Sequence, residues 1–315
     1  DISLQNVERL PRLSRVAVCG GTHGNELSGV YLVRELLKVK KKKKKEEEDE
    51  DGGAMSVLLV LSNPRAMQQC LRYIDTDLNR CFTHACLIGP TLDKTPYEMR
   101  RARELNAMLG PKGSAGAMDL ICDLHNTTAN MGLSLITYSD HDWICMHIFR
   151  HLQARTHGLD RGGGSHLKSA QYDLKWVGPV GPQPHGVVRS NIYTTMKSGV
   201  QYMLDWVHFF NSGVIFDGGF MDVFTVVKHI DYPRDGETHN ITAAIHPQLQ
   251  DRDFCLLRPG DPLFQTFSGE TLRYTGSEPL YPFFINESAY YEKGIALCLA
   301  RKRPYKMSQI FKKYA

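Results

Sequence analysis

The sequence predicts an α/β fold: a larger N-terminal part built on a mostly parallel or mixed sheet, followed by a smaller, mostly β part. Two observations carry this. Between Val16 and Val207, short β-branched runs alternate with stretches of helical periodicity. From Phe216 onward the chain becomes short Thr/Val/Phe/Tyr-rich runs separated by Pro-Gly, Asp-Gly and Ser-Gly turns. The boundary is placed at 212/213, giving domains 1–212 and 213–315.

The elements follow in order. Val16 to Gly20 is a buried strand closed by Gly20-Gly21, and Leu27, Val30, Tyr31 and Leu37 then recur at helical spacing after the loop Thr22–Glu26. Met55 to Leu61 is a second strand, stopped by Asn63-Pro64. Thr95-Pro96-Tyr97-Glu98 carries a capping residue, a proline at the first helical position and a glutamate, the pattern of a capping box, and Gly110-Pro111 ends that helix. Met118 to Leu124 and Leu133 to Tyr138 are further apolar runs. Ile192, Met196, Val200, Leu204 and Val207 mark a long helix ending near Gly213. Lys40–Lys45 followed by Glu46–Asp51 is a solvated low-complexity block, either a loop or a helix extension.

With 315 residues the chain can bury a substantial core, so neither metal nor disulfide is needed merely to fold it. A net charge of +4 is too small to argue for nucleic-acid binding, and no run reaches the ~20 apolar residues of a membrane-spanning helix. Asp1 to Ser14 lacks the continuous apolar core of a secretory signal, and the absent initiator Met points to a trimmed or partial start. The eight cysteines are scattered without a Cys-x-x-Cys, which reads as small buried hydrophobes in a reducing cytoplasm.

Three clusters carry chemistry. In Gly20-Gly21-Thr22-His23-Gly24-Asn25-Glu26, a neutral imidazole and a hard carboxylate sit on the loop beyond a strand's carboxyl end, where α/β sheets place function. A bare His-x-x-Glu is usually coincidence. The strand Leu120–His125 supplies a second strand-terminal histidine, making a His₂Glu set with an open fourth position. Asp123 is then a candidate to orient an imidazole. Arg72-Tyr73-Ile74-Asp75-Thr76-Asp77-Leu78-Asn79-Arg80 is either a solvated turn or a carboxylate clamp, since arginine pairs bidentately with planar anions and asparagine adds a neutral donor.

In order along the chain, Gly-Gly-Thr-His-Gly-Asn-Glu, Arg-Tyr-Ile-Asp-x-Asp-Leu-Asn-Arg, Asp-Leu-His-Asn-Thr-Thr, Gly-Pro-Gln-Pro and Asn-Glu-x-Ala-Tyr-Tyr-Glu-Lys closely resemble the aspartoacylase family. These are zinc N-acyl-amino-acid amidohydrolases related to the zinc carboxypeptidases. The segments 101–106, 126–132, 246–254 and 290–294 look most like the aminoacylase III branch, which acts on N-acetyl aromatic amino acids and mercapturates. The resemblance implies one Zn²⁺ per subunit on His23, Glu26 and His125, and Arg72 at the scissile carbonyl and oxyanion. It implies Asn79 and Arg80 on the substrate α-carboxylate, Tyr290 also on substrate, and Asp77 supporting the clamp. It further implies a cytoplasmic enzyme with a small-molecule N-acyl amino acid substrate, no nucleic-acid partner, and an N-terminal domain like a zinc carboxypeptidase; a homo-oligomer is compatible with it.

One departure stands out. The family's general-base glutamate precedes Gly-Pro-Gln-Pro by two residues, and here that position is Pro179, which cannot move a proton and has no backbone N–H. Tyr172-Asp173-Leu174 also reaches Gly181-Pro182-Gln183-Pro184 sooner than the resemblance implies, and no nearby glutamate replaces the lost one; His185 is the nearest substitute. Either the stretch 161–184 departs from the natural gene product, or the chain is a pseudoenzyme or N-acyl amino acid binder that keeps its metal and carboxylate sites. N-acetylaspartate deacylation is the alternative substrate reading, and a metal-free α/β protein with coincidental motifs the blandest one.

Overall fold

Val16, Ala17 and Val18 have no exposed surface, which an unbroken apolar run of this kind achieves only at the centre of a sheet covered on both faces. The computed structural model describes residues 7–46, 55–132, 134–137, 139, 141–155, 162–165, 173–177 and 182–313. In chain order these form β1 (Val7–Leu10), β2 (Arg15–Gly20), α1 (Leu27–Glu46), β3 (Ser56–Leu61), α2 (Pro64–Gln69) and α3 (His84–Ile88). Then come α4 (Tyr97–Leu109), β4 (Leu120–His125), β5 (Ser134–Thr137), α5 (Trp143–Arg155), β6 (Gly162–Ser165), β7 (Asp173–Val177) and α6 (Ser190–Asn211). The remainder is β8 (Gly219–Ile230), β9 (Ala243–Ile245), β10 (Pro262–Thr266), β11 (Thr271–Arg273), β12 (Tyr281–Phe283), β13 (Leu297–Met307) and β14 (Gln309–Lys312). Short 3₁₀ turns at Leu78–Arg80 and Ser288–Lys293 complete the described elements.

Among the described residues the main sheet has nine strands in the order β12-β13-β8-β6-β5-β7-β4-β2-β3. β3, β2, β4 and β7 run parallel, whereas β5 is antiparallel to β7 and β13 to β8. The sheet is therefore mixed. Alternate side chains of β2 feed two cores. Val16 and Val18 pack with Leu32 and Val33 of α1, Ile144 and Ile148 of α5, and Met196, Val200, Trp206 and Phe210 of α6. Ala17 and Cys19 pack with Val60, Leu78, Ala102 and Leu105 on the α4 side. A third core, centred on Ile245, Leu257, Phe264 and Leu299, belongs to the C-terminal strands, including the small sheet β11-β10-β9. The chain finally returns to its start: β14 pairs parallel with β1, and Ile310 joins the first core.

Several expectations need amendment. The helix from Tyr97 has no capping box: Pro96 occupies the N-cap with no side-chain bond, and Thr95 Oγ1 accepts instead from Leu92 N at 2.8 Å. The cap comes from elsewhere in the chain, since Asp75 Oδ2 accepts from Tyr97 N at 2.6 Å. Glu98, fully buried, turns inward. The lysine block extends α1 as far as Glu46, with Lys40 Nζ donating to Val57 O of the edge strand β3 at 2.7 Å. Of the cysteines, all are free thiols, but Cys70 is exposed and Cys86 and Cys255 are only partly buried.

A carboxyl without a cation ties the C-terminal part to the loop after β4. Asp253 is half-buried as a residue, and its two oxygens accept from Asn130 N at 3.2 Å and Ile285 N at 3.1 Å. Burial pushes its carboxyl up to about 7, which those backbone donors only partly oppose. Because the folded pKa exceeds the unfolded value of about 4, its contribution is complete below that value. It is lost as pH rises through the folded pKa. Unfolding titrations between pH 4 and pH 8 should therefore show stability falling with pH by up to about 1.4 kcal/mol per pH unit from this group. Asp253→Asn should flatten that slope; an unchanged slope would remove Asp253 as its source.

Candidate active site

Two glycines let the loop after β2 bring its polar side chains together. Gly21 has φ +74°, and a Cβ on Gly24 would lie 2.1 Å from the Ala66 carbonyl carbon, so neither position accepts a larger residue in this conformation. The loop is tied to β4, the neighbouring parallel strand, by reciprocal bonds: Asn126 N donates to Glu26 Oε2 at 2.9 Å, and Asn126 Oδ1 accepts from Ser28 N, in the first turn of α1, at 3.3 Å.

The outcome is convergence of His23, Glu26 and His125. One ligand atom from each lies within 4.8 Å of the others, and all three side chains are buried. Glu26 lies between the imidazoles, its Oε1 at 2.7 Å from His23 Nδ1 and its Oε2 at 2.9 Å from His125 Nδ1. Each ring has a second carboxylate behind it. Asp77 Oδ1 lies 3.0 Å from His23 Nε2, and Asp123 Oδ2 lies 2.7 Å from His125 Nε2. Asp123 is itself fixed by the Thr22 hydroxyl at 2.7 Å. Two nitrogens and one carboxylate, with the far nitrogens oriented by carboxylates, is the donor set and support that a divalent metal such as zinc requires.

The charges of the group are strongly coupled. Burial alone would raise the Glu26 carboxyl, yet His23 and His125 hold it well below the usual carboxylate range. Burial would lower His125, but Asp123 and Glu26 outweigh it and push the imidazole up to about 10. Both shifts arise from the mutual pairing of Glu26, the two imidazoles and Asp123. Arg72 donates to Glu26 Oε1 and to Asp77 Oδ2, both at 3.3 Å, so its guanidinium stands at the edge of the His–Glu–His group.

Asp77 joins several of these groups. Besides His23 and Arg72, it caps the 3₁₀ turn by accepting from Asn79 N at 3.0 Å, and Lys293 Nζ lies 3.7 Å from its Oδ2. Burial would raise its carboxyl, but His23, Arg72 and Lys293 hold it far below the usual range. Asn79 Nδ2 lies 3.4 Å from His23 Nε2. Arg80 is exposed at the end of the same turn and acts electrostatically on Lys293 and on the Tyr290 phenol. Tyr290 sits edge-on to Phe284 at 5.1 Å, with Lys293 over its ring at 5.1 Å.

Glu287 and Lys293 lie in the same Asn286–Lys293 motif as Tyr290 but carried no role from sequence alone. Glu287 is the brace between the two halves of the site. Its Oε2 accepts from the Thr127 hydroxyl and from Thr128 N at 2.8 Å, while Oε1 accepts from Ala289 N at 3.0 Å and so caps the turn that bears Tyr290. His185 faces this brace, its Nδ1 3.3 Å from Ser288 Oγ and its Nε2 4.0 Å from Glu287 Oε1. Pro179 lies outside the described residues.

Beyond it the chain is anchored by Gln183, which donates from its backbone N to Thr127 O at 3.0 Å and accepts from Ser28 Oγ at 3.1 Å. Among the described residues, six buried side-chain polar atoms lack a hydrogen-bond partner. Four of them (Asn25 Oδ1, Arg72 Nε, Asn126 Nδ2 and His185 Nε2) belong to the loops around this site, as expected where a ligand completes the polar set.

Residues 12–206 match the succinylglutamate desuccinylase/aspartoacylase catalytic domain, and residues 219–302 match the AstE/AspA barrel-sandwich hybrid domain. The chain is 56% identical over 306 residues to N-acyl-aromatic-L-amino acid amidohydrolase (carboxylate-forming) A of Danio rerio, covering 93% of this chain and 90% of that protein. It is 45% identical over 298 residues to the Homo sapiens N-acyl-aromatic-L-amino acid amidohydrolase (carboxylate-forming), covering 92% and 91%. Its fold superposes on the crystal structure of murine aminoacylase 3 with a TM-score of 0.87 at 38% identity, over 97% of this chain and 100% of that one. On these matches, the chain belongs to the succinylglutamate desuccinylase/aspartoacylase family.

Proposed function

We propose that this chain is a cytoplasmic amidohydrolase, with one zinc per subunit, that cleaves N-acyl amino acids to a carboxylate and a free amino acid. N-acyl aromatic amino acids and mercapturates are the favoured substrates. The observation that carries this reading is the buried His23–Glu26–His125 group with Arg72 at its edge; the names of its relatives support the substrate class. Zinc held by those three side chains would supply Lewis acidity and a nucleophile at neutral pH. Asp77 and Asp123 keep both imidazoles in orientation through their far nitrogens. Arg72 is the donor for the scissile carbonyl oxygen as charge develops on it. Asn79 and Arg80 take the α-carboxylate, Lys293 adds positive charge beside them, and Tyr290 closes the site from the C-terminal part.

Pro179 favours a second reading, an impaired enzyme or binder, because the proton-shuttling glutamate of the family is replaced. Loss of a general base costs roughly 10²-fold or more in rate. Protein of this sequence should therefore hydrolyse N-acetyltyrosine faster than N-acetylaspartate, but at least ~10²-fold more slowly than the Danio rerio relative assayed beside it. Equal turnover would show that Pro179 does not cost the base. A transcript reading glutamate there would explain such parity in the natural product.

Two further outcomes test the site. Because the clamp needs a free carboxylate, the methyl ester of N-acetyltyrosine should react poorly; equal rates for acid and ester would defeat the roles given to Asn79 and Arg80. Arg72→Ala should lower kcat by about 10²–10³-fold while metal analysis still finds one zinc per chain. A drop in KM-linked binding alone, with kcat unchanged, would reassign Arg72.

A further inference from the structure

Glu98 is a charged side chain with no exposed surface, on the first turn of α4 and outside the motifs of the site. Its oxygens are fully used. Oε1 accepts from Asn63 Nδ2 at 3.2 Å and from Ile74 N at 2.7 Å; Oε2 accepts from Asp75 N at 3.0 Å and from Thr76 N at 3.2 Å. Among the described residues no lysine or arginine is paired with it, so three consecutive backbone amides and one side-chain amide stabilise this buried carboxylate. The three backbone amides belong to the turn running from Arg72 to the segment Asp77–Arg80, and the side-chain amide to Asn63 after β3. The attachment is reciprocal, because Asp75 Oδ2 caps α4 through Tyr97 N at 2.6 Å. The helix is in turn fixed to the end of β3, where Arg101 Nε donates to Ser62 O at 2.7 Å and its guanidinium to Leu61 O at 3.1 Å.

We propose that Glu98 is the positioning residue of the carboxylate clamp: by holding the amides of residues 74–76 it fixes Arg72 on one side and Asn79 and Arg80 on the other. The inference rests on the proposed role of Asn79 and Arg80 toward the substrate carboxylate. A turn of this kind has many backbone states, and its amides would otherwise face the protein interior unpaired. Glutamine does not reproduce Glu98, since whichever way its amide turns the NH₂ would face a backbone donor together with a second N–H. Aspartate keeps both oxygens but draws them back by one methylene.

The test measures binding of N-acetyltyrosine and of its methyl ester to the zinc-loaded full chain by calorimetry, together with KM and kcat for the acid. Wild type should favour the acid. Glu98→Gln should weaken binding of the acid and raise its KM by about tenfold or more, shrink the acid-over-ester preference toward unity, and leave zinc content at one per chain. Glu98→Asp should fall between the two. Should Glu98→Gln fail to fold, Asp75→Ala, at an exposed position, should reduce the same preference by a smaller factor. Parallel losses for acid and ester, or an undiminished preference in these variants, would overturn the proposal while the clamp itself stands. A wild type that binds acid and ester alike would overturn the clamp, and with it the functional reading.

Discussion

Everything at this site depends on compensating one buried carboxylate. Glu26 lies in the interior between two imidazoles, with the Arg72 guanidinium and the Asn126 amide also on it. An uncompensated charge at such depth would cost several kcal/mol, so each partner must be held in place by something else. Asp77 holds His23 and Arg72, Asp123 holds His125, and Thr22 holds Asp123. The network closes on itself, and it spans the loop after β2, the end of β4 and the turn before Arg80. Its geometry is therefore a property of the sheet order, which sets β2 and β4 side by side.

The strands and the His–Glu–His group were legible because they leave local signals. β2, β3 and β4 are continuous apolar runs, and their ends carry glycine-rich or polar loops that no buried strand would tolerate. The His–Glu–His set followed from two such ends and needed only the adjacency of their strands. Other features have no local signature. α5 is buried on most sides, with Ile144, Cys145, Met146, His147, Ile148, Phe149 and Leu152 all inside, so it shows no polar face and no clear stripe. Glu98 has the sequence position of a helix-capping glutamate. Only the fold shows that the cap comes from Asp75, twenty-odd residues away, and that Glu98 points at a different segment. Contacts such as Thr127–Glu287, 160 positions apart, leave no periodicity to read.

The C-terminal part takes hold of the site by carboxylates rather than by apolar packing alone. Glu287 and Asp253 both accept backbone amides from the loop after β4, and each also accepts an amide of the C-terminal part: Ala289 for Glu287, Ile285 for Asp253. Backbone donors have fixed directions, so two such bridges limit both the distance and the rotation between His125 and Tyr290. An aromatic layer of Phe224, Phe283 and Phe284 with Ala129 and Met131 fills the space beneath them. Apolar contact supplies most of the cohesion there, while the two carboxylates set the register.

In the proposed reading, substrate binding and metal ligation fall to stretches of sequence distant from Pro179. That reading draws its metal ligands from residues 23–26 and 125, its clamp from 72–80 and its covering tyrosine from 290. Gln183 of the Gly-Pro-Gln-Pro segment is tied to Thr127 and Ser28, on the same side of the site as His125. Where Pro179 costs the base, the proposed arrangement would still recognise a carboxylate beside an amide. For such a protein, affinity and turnover are separate properties, and the intactness of one carries no information about the other.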